Sequence, residues 1–542
     1  MTADSARDWP RLVARVAFAG FLLSVLFGLL LPVYTDEVGW RMQLRAGMDG
    51  GVDRMLSDIC GPNTIAAPPW FMMPFRLASA WLNSAFPDPL YVRLVGVACA
   101  LAWAFMLRTL IARLAGDAQR RDILTALTFG LLGLGVLPVM LVMSRPDQAV
   151  LLAVTAAILA VVISIRAKAA WPWPVIVLAC GVAAISFHLK GILFAPLFLI
   201  CLFFAGRDRI ALRLRLALML VLAALSLQAA SYWSARFQCP GDAVLAGDLA
   251  KQNLASAMAA GDTWQELAAR AVRGADPNGY IVLAEARRWP MSNWLPYGRI
   301  DPAGSALRHV PMKLAWNLAL LLAAACLIRA LQLRWRERRL DFAVVAAPAI
   351  AGLIVVWGIS QLTKNDYEAM VVLPMLAIFV VLALAAVPWP QRRARQLAVA
   401  AAVLTAISLV LQADIVRRYY PPLAAAAARP GIVAGQGFSV SAHGYGAIRE
   451  QIRSTARQCG IGLKGRAFKP LLDDTTYFAM MDSWRPFHVL GVLDKWNGSI
   501  RDPLAYLKTQ GSEGLIVGCR LLTPAAQARG IRNGDYCCIS AK

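Results

Sequence analysis

The chain has 542 residues, 59% of them hydrophobic and only 16% charged, with a mean hydropathy of +0.56. That balance excludes a water-soluble globular protein and places most of the chain in a membrane. The formal net charge of +23 suggests a polyanionic partner, but its distribution excludes nucleic acid: the basic residues gather in alternate short connections and so report orientation.

These clusters are Arg7, Arg11 and Arg15; Arg113, Arg120 and Arg121; Arg166 and Lys168; Arg207, Arg209, Arg213 and Arg215; Arg329, Arg334, Arg336, Arg338 and Arg339; and Arg392, Arg393 and Arg395. The positive-inside rule then predicts a cytoplasmic N-terminus and an outer C-terminal segment.

The first apolar span, 13–33, has the basic flank of a secretory signal but no convincing small-residue cleavage site, and it is read as a retained helix. It runs into Leu31-Pro32-Val33-Tyr34-Thr35-Asp36-Glu37 and opens an outer loop, 34–90. There Trp40, Leu44 and Met48 recur at helical spacing beside Arg41 and Arg45, as in a helix lying along the membrane surface; a second such segment is predicted at 75–86. Spans follow near 91–112, 122–143, 148–165, 173–188, 191–206 and 211–234. A second outer loop, 236–311, holds a predicted soluble helix at 262–273 and an interfacial stretch rich in Trp and Pro, 287–297. The last spans lie near 312–333, 341–361, 368–388 and 396–416, giving about eleven at some 20 residues per crossing. The predicted fold is a polytopic α-helical membrane protein, N-terminus in and C-terminus out, with a membrane domain over 1–416 and an outer α/β domain over 417–542.

In that last part, strands are predicted at 431–440, 488–493, 514–517 and 536–540, with helices at 447–458 and 503–509. Asp473, Asp474 and Asp482 are read there as solvated loop groups. Cys99, Cys180, Cys201 and Cys326 fall inside spans, whereas Cys60, Cys239, Cys459, Cys519, Cys537 and Cys538 all fall on the predicted outer side, where disulfides form. Cys60 is expected to bridge Cys239, and the last four to form two bridges in one of three pairings.

Four elements carry chemistry, each at the outer end of a span: Thr35-Asp36-Glu37; Ser144-Arg145-Pro146-Asp147; Phe187-His188-Leu189-Lys190-Gly191; and Thr363-Lys364-Asn365-Asp366-Tyr367-Glu368. Ionisable groups confined to one end of an apolar bundle suggest a shared cavity. Each has a plainer reading as well. Asp147 suits a helix cap, Lys190 and Lys364 suit snorkelling to the interface, Asp36 and Glu37 suit a solvated loop, and His188 suits a packed residue.

The run from Leu31-Pro32 to Asp36-Glu37, followed by an amphipathic outer helix, resembles the first outer loop of GT-C glycosyltransferases, the group that includes aminoarabinose lipid A transferases and protein O-mannosyltransferases. Ser144-Arg145-Pro146-Asp147 resembles the second acidic position of that group. Leu189-Lys190-Gly191 is similar to the Thr-Lys-Gly element of the aminoarabinose branch, with Leu189 in place of Thr. Lys364 and Tyr367 before Leu373-Pro374 resemble its late basic and aromatic element. The resemblance covers about 13–390 and does not extend to the C-terminal domain.

It implies a membrane glycosyltransferase that takes a sugar from a polyprenyl-phosphate donor to a hydroxyl of a lipid, polysaccharide or other envelope glycan; the absence of a eukaryotic-looking targeting signal and the disulfide-permissive outer side point to a bacterial inner membrane, facing the periplasm. Asp36 would be the general base, with Glu37 in reserve and Asp147 orienting acceptor or sugar. Arg41, Arg45, Lys190 and Lys364 would offset the phosphate charge, and Arg145, His188 and Tyr367 would contact substrate. Asp36 and Asp147 leave room for a divalent cation, yet a monophosphate leaving group among cations requires none. Three rivals stand beside this reading: a transporter, a non-catalytic assembly protein centred on 417–542, and an O-antigen-ligase-like enzyme built on Arg308 and His309.

Overall fold

The structure is a computed structural model that describes residues 5–31, 33–34, 37, 40–41, 53–54, 65–84, 88–236, 240, 246, 263–283, 302–338, 340–360, 368–427, 439–440, 444–461, 470–480, 505, 507–508, 512 and 514–541. Its described α-helices are α1 (Ser5–Phe27), α2 (Met73–Ser84), α3 (Pro89–Leu114), α4 (Ala118–Leu132), α5 (Leu137–Met140), α6 (Pro146–Ser164), α7 (Pro172–Phe187), α8 (Ala195–Phe204), α9 (Leu212–Arg236), α10 (Trp264–Ala275), α11 (Asn278–Leu283), α12 (Pro302–Glu337), α13 (Phe342–Ser360), α14 (Ala369–Ala385), α15 (Gln391–Ala427), α16 (Tyr445–Gln458), α17 (Asp474–Met480) and α18 (Pro524–Gln527). Strands are β1 (Val33–Tyr34), β2 (Asp53–Arg54), β3 (Ile65–Ala66), β4 (Ser439–Val440), β5 (Pro470–Leu472), β6 (Gly514–Gly518), β7 (Ile531–Asn533) and β8 (Tyr536–Ser540).

Among the described residues, seven helical segments are long and apolar enough to cross a membrane: Trp9–Leu30, Pro89–Leu114, Pro146–Ser164, Leu212–Ala235, Arg308–Glu337, Phe342–Ser360 and Gln391–Pro421. Three shorter apolar helices, Pro172–Phe187, Leu189–Phe204 and Ala369–Ala385, also belong to the bundle, as does α4, packed between α1 and α15. α14 is its axis: every residue from Ala369 to Leu384 is buried, as a helix apolar on all faces requires. The ends follow local rules. Asp88 caps α3, accepting from the backbone N–H groups of Leu90 and Tyr91, and Pro89 supplies the first helical residue.

The predicted third span, 122–143, is not continuous. α4 stops at Leu132 and α5 covers only Leu137–Met140. Between them Gly135 takes φ +148°, a conformation that L side chains rarely adopt. The carbonyls of Gly133 and Gly135 that the break frees both accept from the Gln412 side chain of α15, the second at 2.8 Å. Hydropathy runs through this segment unbroken, so only the glycines and Pro138 signal the interruption.

A second correction concerns the helix at 262–273. It forms as α10, with a capping box of Thr263 and Glu266, but it is not free-standing. Gly274 meets Gly358 of α13 so closely that a Cβ on Gly274 would lie 2.1 Å from the Gly358 carbonyl oxygen.

The C-terminal segment forms a four-stranded sheet in the order β5-β6-β8-β7, with β5–β6 parallel and the other pairs antiparallel. Cys459 is bonded to Cys538 and Cys519 to Cys537, with Cα separations of 6.1 and 4.8 Å; vicinal Cys537 and Cys538 point to opposite faces of β8 and so tie it on both sides. Predicted strands 514–517 and 536–540 are β6 and β8, and predicted helix 447–458 is α16. Strand 488–493, most of 431–440 and 503–509, and the proposed Cys60–Cys239 pair lie outside the described residues.

Asp473 is not a solvated loop group. It is fully buried and accepts from the N–H groups of Gly518 at 2.6 Å and Thr476 at 2.7 Å and from the Thr476 hydroxyl at 3.1 Å, so it fastens the start of α17 to the end of β6. Asp482 lies outside the described residues.

Candidate active site

The turn before α6 is the hub. Pro146 starts the helix and leaves Arg145 extended ahead of it, while the Arg145 N–H donates back to the Met143 carbonyl and turns the chain at Ser144. Ser144 donates its backbone N–H to Glu37 Oε1 at 2.7 Å. Arg41 donates to the Ser144 hydroxyl at 3.0 Å, the Ser144 carbonyl at 3.3 Å and the Glu37 carbonyl at 2.9 Å. The second Glu37 oxygen pairs with Arg93 of α3, which also donates to the Val142 carbonyl at 3.0 Å. Glu37, Arg41 and Arg93 are all essentially inaccessible to solvent.

This tight assembly needs a close approach of α3 to residue 142. Gly96 permits it: a Cβ there would sit 1.8 Å from the Val142 carbonyl oxygen. Gln148 closes the same contact by donating to the carbonyls of Gly96 and Leu141, both at 2.7 Å.

One turn further along, Asp147 lies between two cations. Arg145 Nε donates to Oδ2 at 3.1 Å, and Lys190 Nζ stands 3.6 Å from Oδ1. Lys190 also donates to Glu368 Oε1 at 3.1 Å and lies 5.0 Å from the ring centre of Trp357, over its face. α7 ends at His188, which is extended and accepts the Lys190 N–H on Nδ1 at 3.1 Å. That fixes the tautomer with hydrogen on Nε2. Gly191 lets the Lys190 turn fold onto α7, since a Cβ there would lie 2.0 Å from the Ala184 carbonyl oxygen. Beside it, Arg76 of α2 donates to the Ser186 carbonyl at 3.2 Å and covers Trp233.

The structure therefore brings Glu37, Arg41, Arg145, Asp147, His188 and Lys190 to one end of the bundle, on three separate chain segments. Asp36, Arg45, Lys364 and Tyr367 lie outside the described residues. Glu37, immediately after Asp36, and Glu368, immediately after Tyr367, tie the first and last motifs to the same cluster. Arg308 of α12 sits elsewhere, paired with Asp414 of α15 at 3.3 Å, where Arg418 also binds at 2.9 Å.

Sequence reasoning overlooked Arg93 and Trp357, and it placed Glu368 in the fourth element without giving it a role. Arg93 and Glu368 carried a readable signal, an ionisable residue in or beside the first turn of an otherwise apolar span. Trp357 carried none.

Among the described residues no group of three or more His, Cys, Asp or Glu could hold a metal ion. Both Asp147 oxygens face cations, so a divalent ion would have to displace Arg145 and Lys190; the described residues do not fit a metal. What the arrangement offers is charge. Among the described residues, Arg41, Arg93, Arg145 and Lys190 stand against Glu37, Asp147 and Glu368, one more cation than carboxylates in a water-poor setting that suits an anionic ligand.

No protein-family model matches the chain, and no curated protein matches it. Among solved structures it is similar to ArnT from Cupriavidus metallidurans bound to undecaprenyl phosphate, at 13% identity and a TM-score of 0.43 over 99% of this chain and 98% of that one. It is also similar to the archaeal oligosaccharyltransferase AglB from Archaeoglobus fulgidus in complex with an inhibitory peptide and a dolichol-phosphate, at 12% identity and a TM-score of 0.44 over 93% of this chain and 69% of that one. The arabinosyltransferase EmbB from Mycobacterium smegmatis is similar at 12% identity and a TM-score of 0.27, over 73% and 41% of the two chains. No residue role is carried over from these similarities.

Proposed function

We propose that the protein is a multi-pass membrane glycosyltransferase that moves a sugar from a polyprenyl-phosphate donor to a hydroxyl acceptor of the cell envelope. The observation that carries the reading is the buried cluster in which Arg41, Arg93, Arg145 and Lys190 meet Glu37, Asp147 and Glu368 at one end of an apolar bundle. In this reading the chain crosses the membrane eleven times, with its N-terminus cytoplasmic and residues 417–542 forming a periplasmic domain.

Asp36 takes the proton of the acceptor hydroxyl as its oxygen bonds to the anomeric carbon. The bond from that carbon to the phosphate oxygen breaks on the opposite face, inverting the centre, and its electron pair leaves with the polyprenyl phosphate. Arg145 and Lys190, with Arg45 and Lys364, stabilise the departing charge; Asp147 holds the two described cations in place, and His188 and Tyr367 face the sugar or acceptor. Glu37 and Arg41 are given a supporting role, because their polar atoms are committed to Ser144 and Arg93.

The test is transfer from purified polyprenyl-phosphate sugars by the protein in lipid nanodiscs. Asp36→Asn should lower turnover by roughly 10² to 10⁴ fold while donor-lipid binding persists. Parental turnover in a folded Asp36→Asn protein would remove Asp36 as the base. Absence of transfer by the parental chain from a broad donor panel, together with saturable transport of a lipid carrier, would favour the transporter instead.

A further inference from the structure

The C-terminal unit reaches back into the segment that carries the acidic pair. β1 pairs antiparallel with β4, Val33 opposite Val440 and Tyr34 opposite Ser439. Val33 and Val92 of α3 are fully buried, and they belong to the same apolar core as Tyr445, Ile452, Phe478, Ile516 and Cys538. Two residues of the membrane unit thus complete the core of the C-terminal unit instead of merely touching its surface.

The next residue after Val92 is Arg93, the cation that holds Glu37. The acidic segment is therefore gripped at two points, by the strand pair at Val33 and Tyr34 and by Arg93 and Ser144 at Glu37. Asp36 is two residues beyond the first grip and one before the second. Only two positions, 35 and 36, separate the two grips, and proton transfer depends steeply on placement.

We propose that the C-terminal unit is a positioning element for this segment, acting through Val33, so that it sets the efficiency of transfer without touching donor or acceptor. The proposal rests on the reading of Asp36 as the base. It follows that loosening β4 should lower kcat and leave donor affinity unchanged, a split that a general loss of stability or a lipid-binding role would not give.

The experiment uses the full-length protein in nanodiscs. Ser439→Pro weakens the strand pair, because proline has no N–H and a fixed φ, and it should lower kcat about 10- to 100-fold with the Kd for polyprenyl phosphate within about twofold of parental. Adding Val33→Cys and Val440→Cys to Ser439→Pro puts cysteines at paired positions of β1 and β4. Oxidation should form the bridge, seen by mass spectrometry, and restore most of kcat; mild reduction, with the parental chain as control, should remove it again.

A bridge that fails to form, a Ser439→Pro protein with parental kcat, donor affinity that falls together with kcat, or a bridge that forms without rescue would each overturn the proposal. A bridge that forms in a chain inactive on every polyprenyl-phosphate sugar would overturn the transferase reading and the positioning role together, and would leave the strand pairing standing.

Discussion

Two neighbouring carboxylates, Asp36 and Glu37, should respond to substitution in opposite ways. Glu37 is fully buried against Arg93 and the Ser144 N–H, so Glu37→Gln takes from buried Arg93 the carboxylate it is paired with. Breaking one side of such a pair costs about 3–5 kcal/mol, and the expected result is a lower thermal midpoint in detergent whether or not donor is present. Asp36→Asn should leave that midpoint nearly unchanged and remove turnover. Lys190 gives a second contrast. It is shared between Asp147 and Glu368, so Lys190→Met should destabilise strongly, and Lys190→Met with Glu368→Gln should recover part of the loss because one of the two carboxylates that lose this cation is then neutral, while Asp147 keeps Arg145. If the double variant is no more stable than the single, the two carboxylates do not share that cation.

The helices carrying these side chains were legible from apolar runs, and their ends from Pro89, Pro146 and the basic clusters. The partnerships were not. Glu37 meets Arg93 across 56 positions and Lys190 meets Glu368 across 178, and no local periodicity encodes a contact at that distance. The break at Gly133–Val136 was missed for a different reason: hydropathy measures transfer to an apolar phase and is blind to whether the backbone stays helical. Motif positions at span ends were readable because a charge beside an apolar run is rare. The docking of β4 on β1 was not, since two-residue strands have no period to detect.

Close helix approach also makes a prediction. A methyl at Gly191 would overlap the Ala184 carbonyl, and one at Gly96 the Val142 carbonyl. Neither neighbour is a flexible side-chain tip, so backbone must move. Gly191→Ala should displace the Lys190 turn, costing about 1–3 kcal/mol, and should reduce transfer more than Gly352→Ala, where a Cβ meets nothing within 4 Å. Equal activity in the two variants would remove the argument that this turn places Lys190.

For the whole molecule, the disulfides offer a readout of both topology and stability. Cys459–Cys538 closes a separation of 79 residues and Cys519–Cys537 one of 18. On the chain-entropy estimate the longer loop contributes about 4.5 kcal/mol and the shorter about 3.2. Cys459→Ser should therefore lower the unfolding midpoint of the C-terminal unit more than Cys519→Ser. In intact bacterial cells, all four thiols should resist alkylation until the protein is reduced and denatured, as expected on the oxidising side of the membrane. Ready alkylation in native protein from envelope preparations would argue against that placement.

α14 has 17 residues and no lipid-facing surface along its buried length. At 1.5 Å per residue it spans about 26 Å, short of the roughly 30 Å hydrocarbon layer. A lipid-exposed helix of that length would pinch the bilayer around it; one sheathed by other helices transfers no such strain to its surroundings. Its leading end, marked by Glu368, is therefore free to lie below the level of the headgroups. If the proposed polyprenyl-phosphate donor meets Lys190 at such a level, its phosphate leaves the plane where its neighbours keep theirs, and selection between carrier and bulk phospholipid begins with depth before any headgroup is recognised.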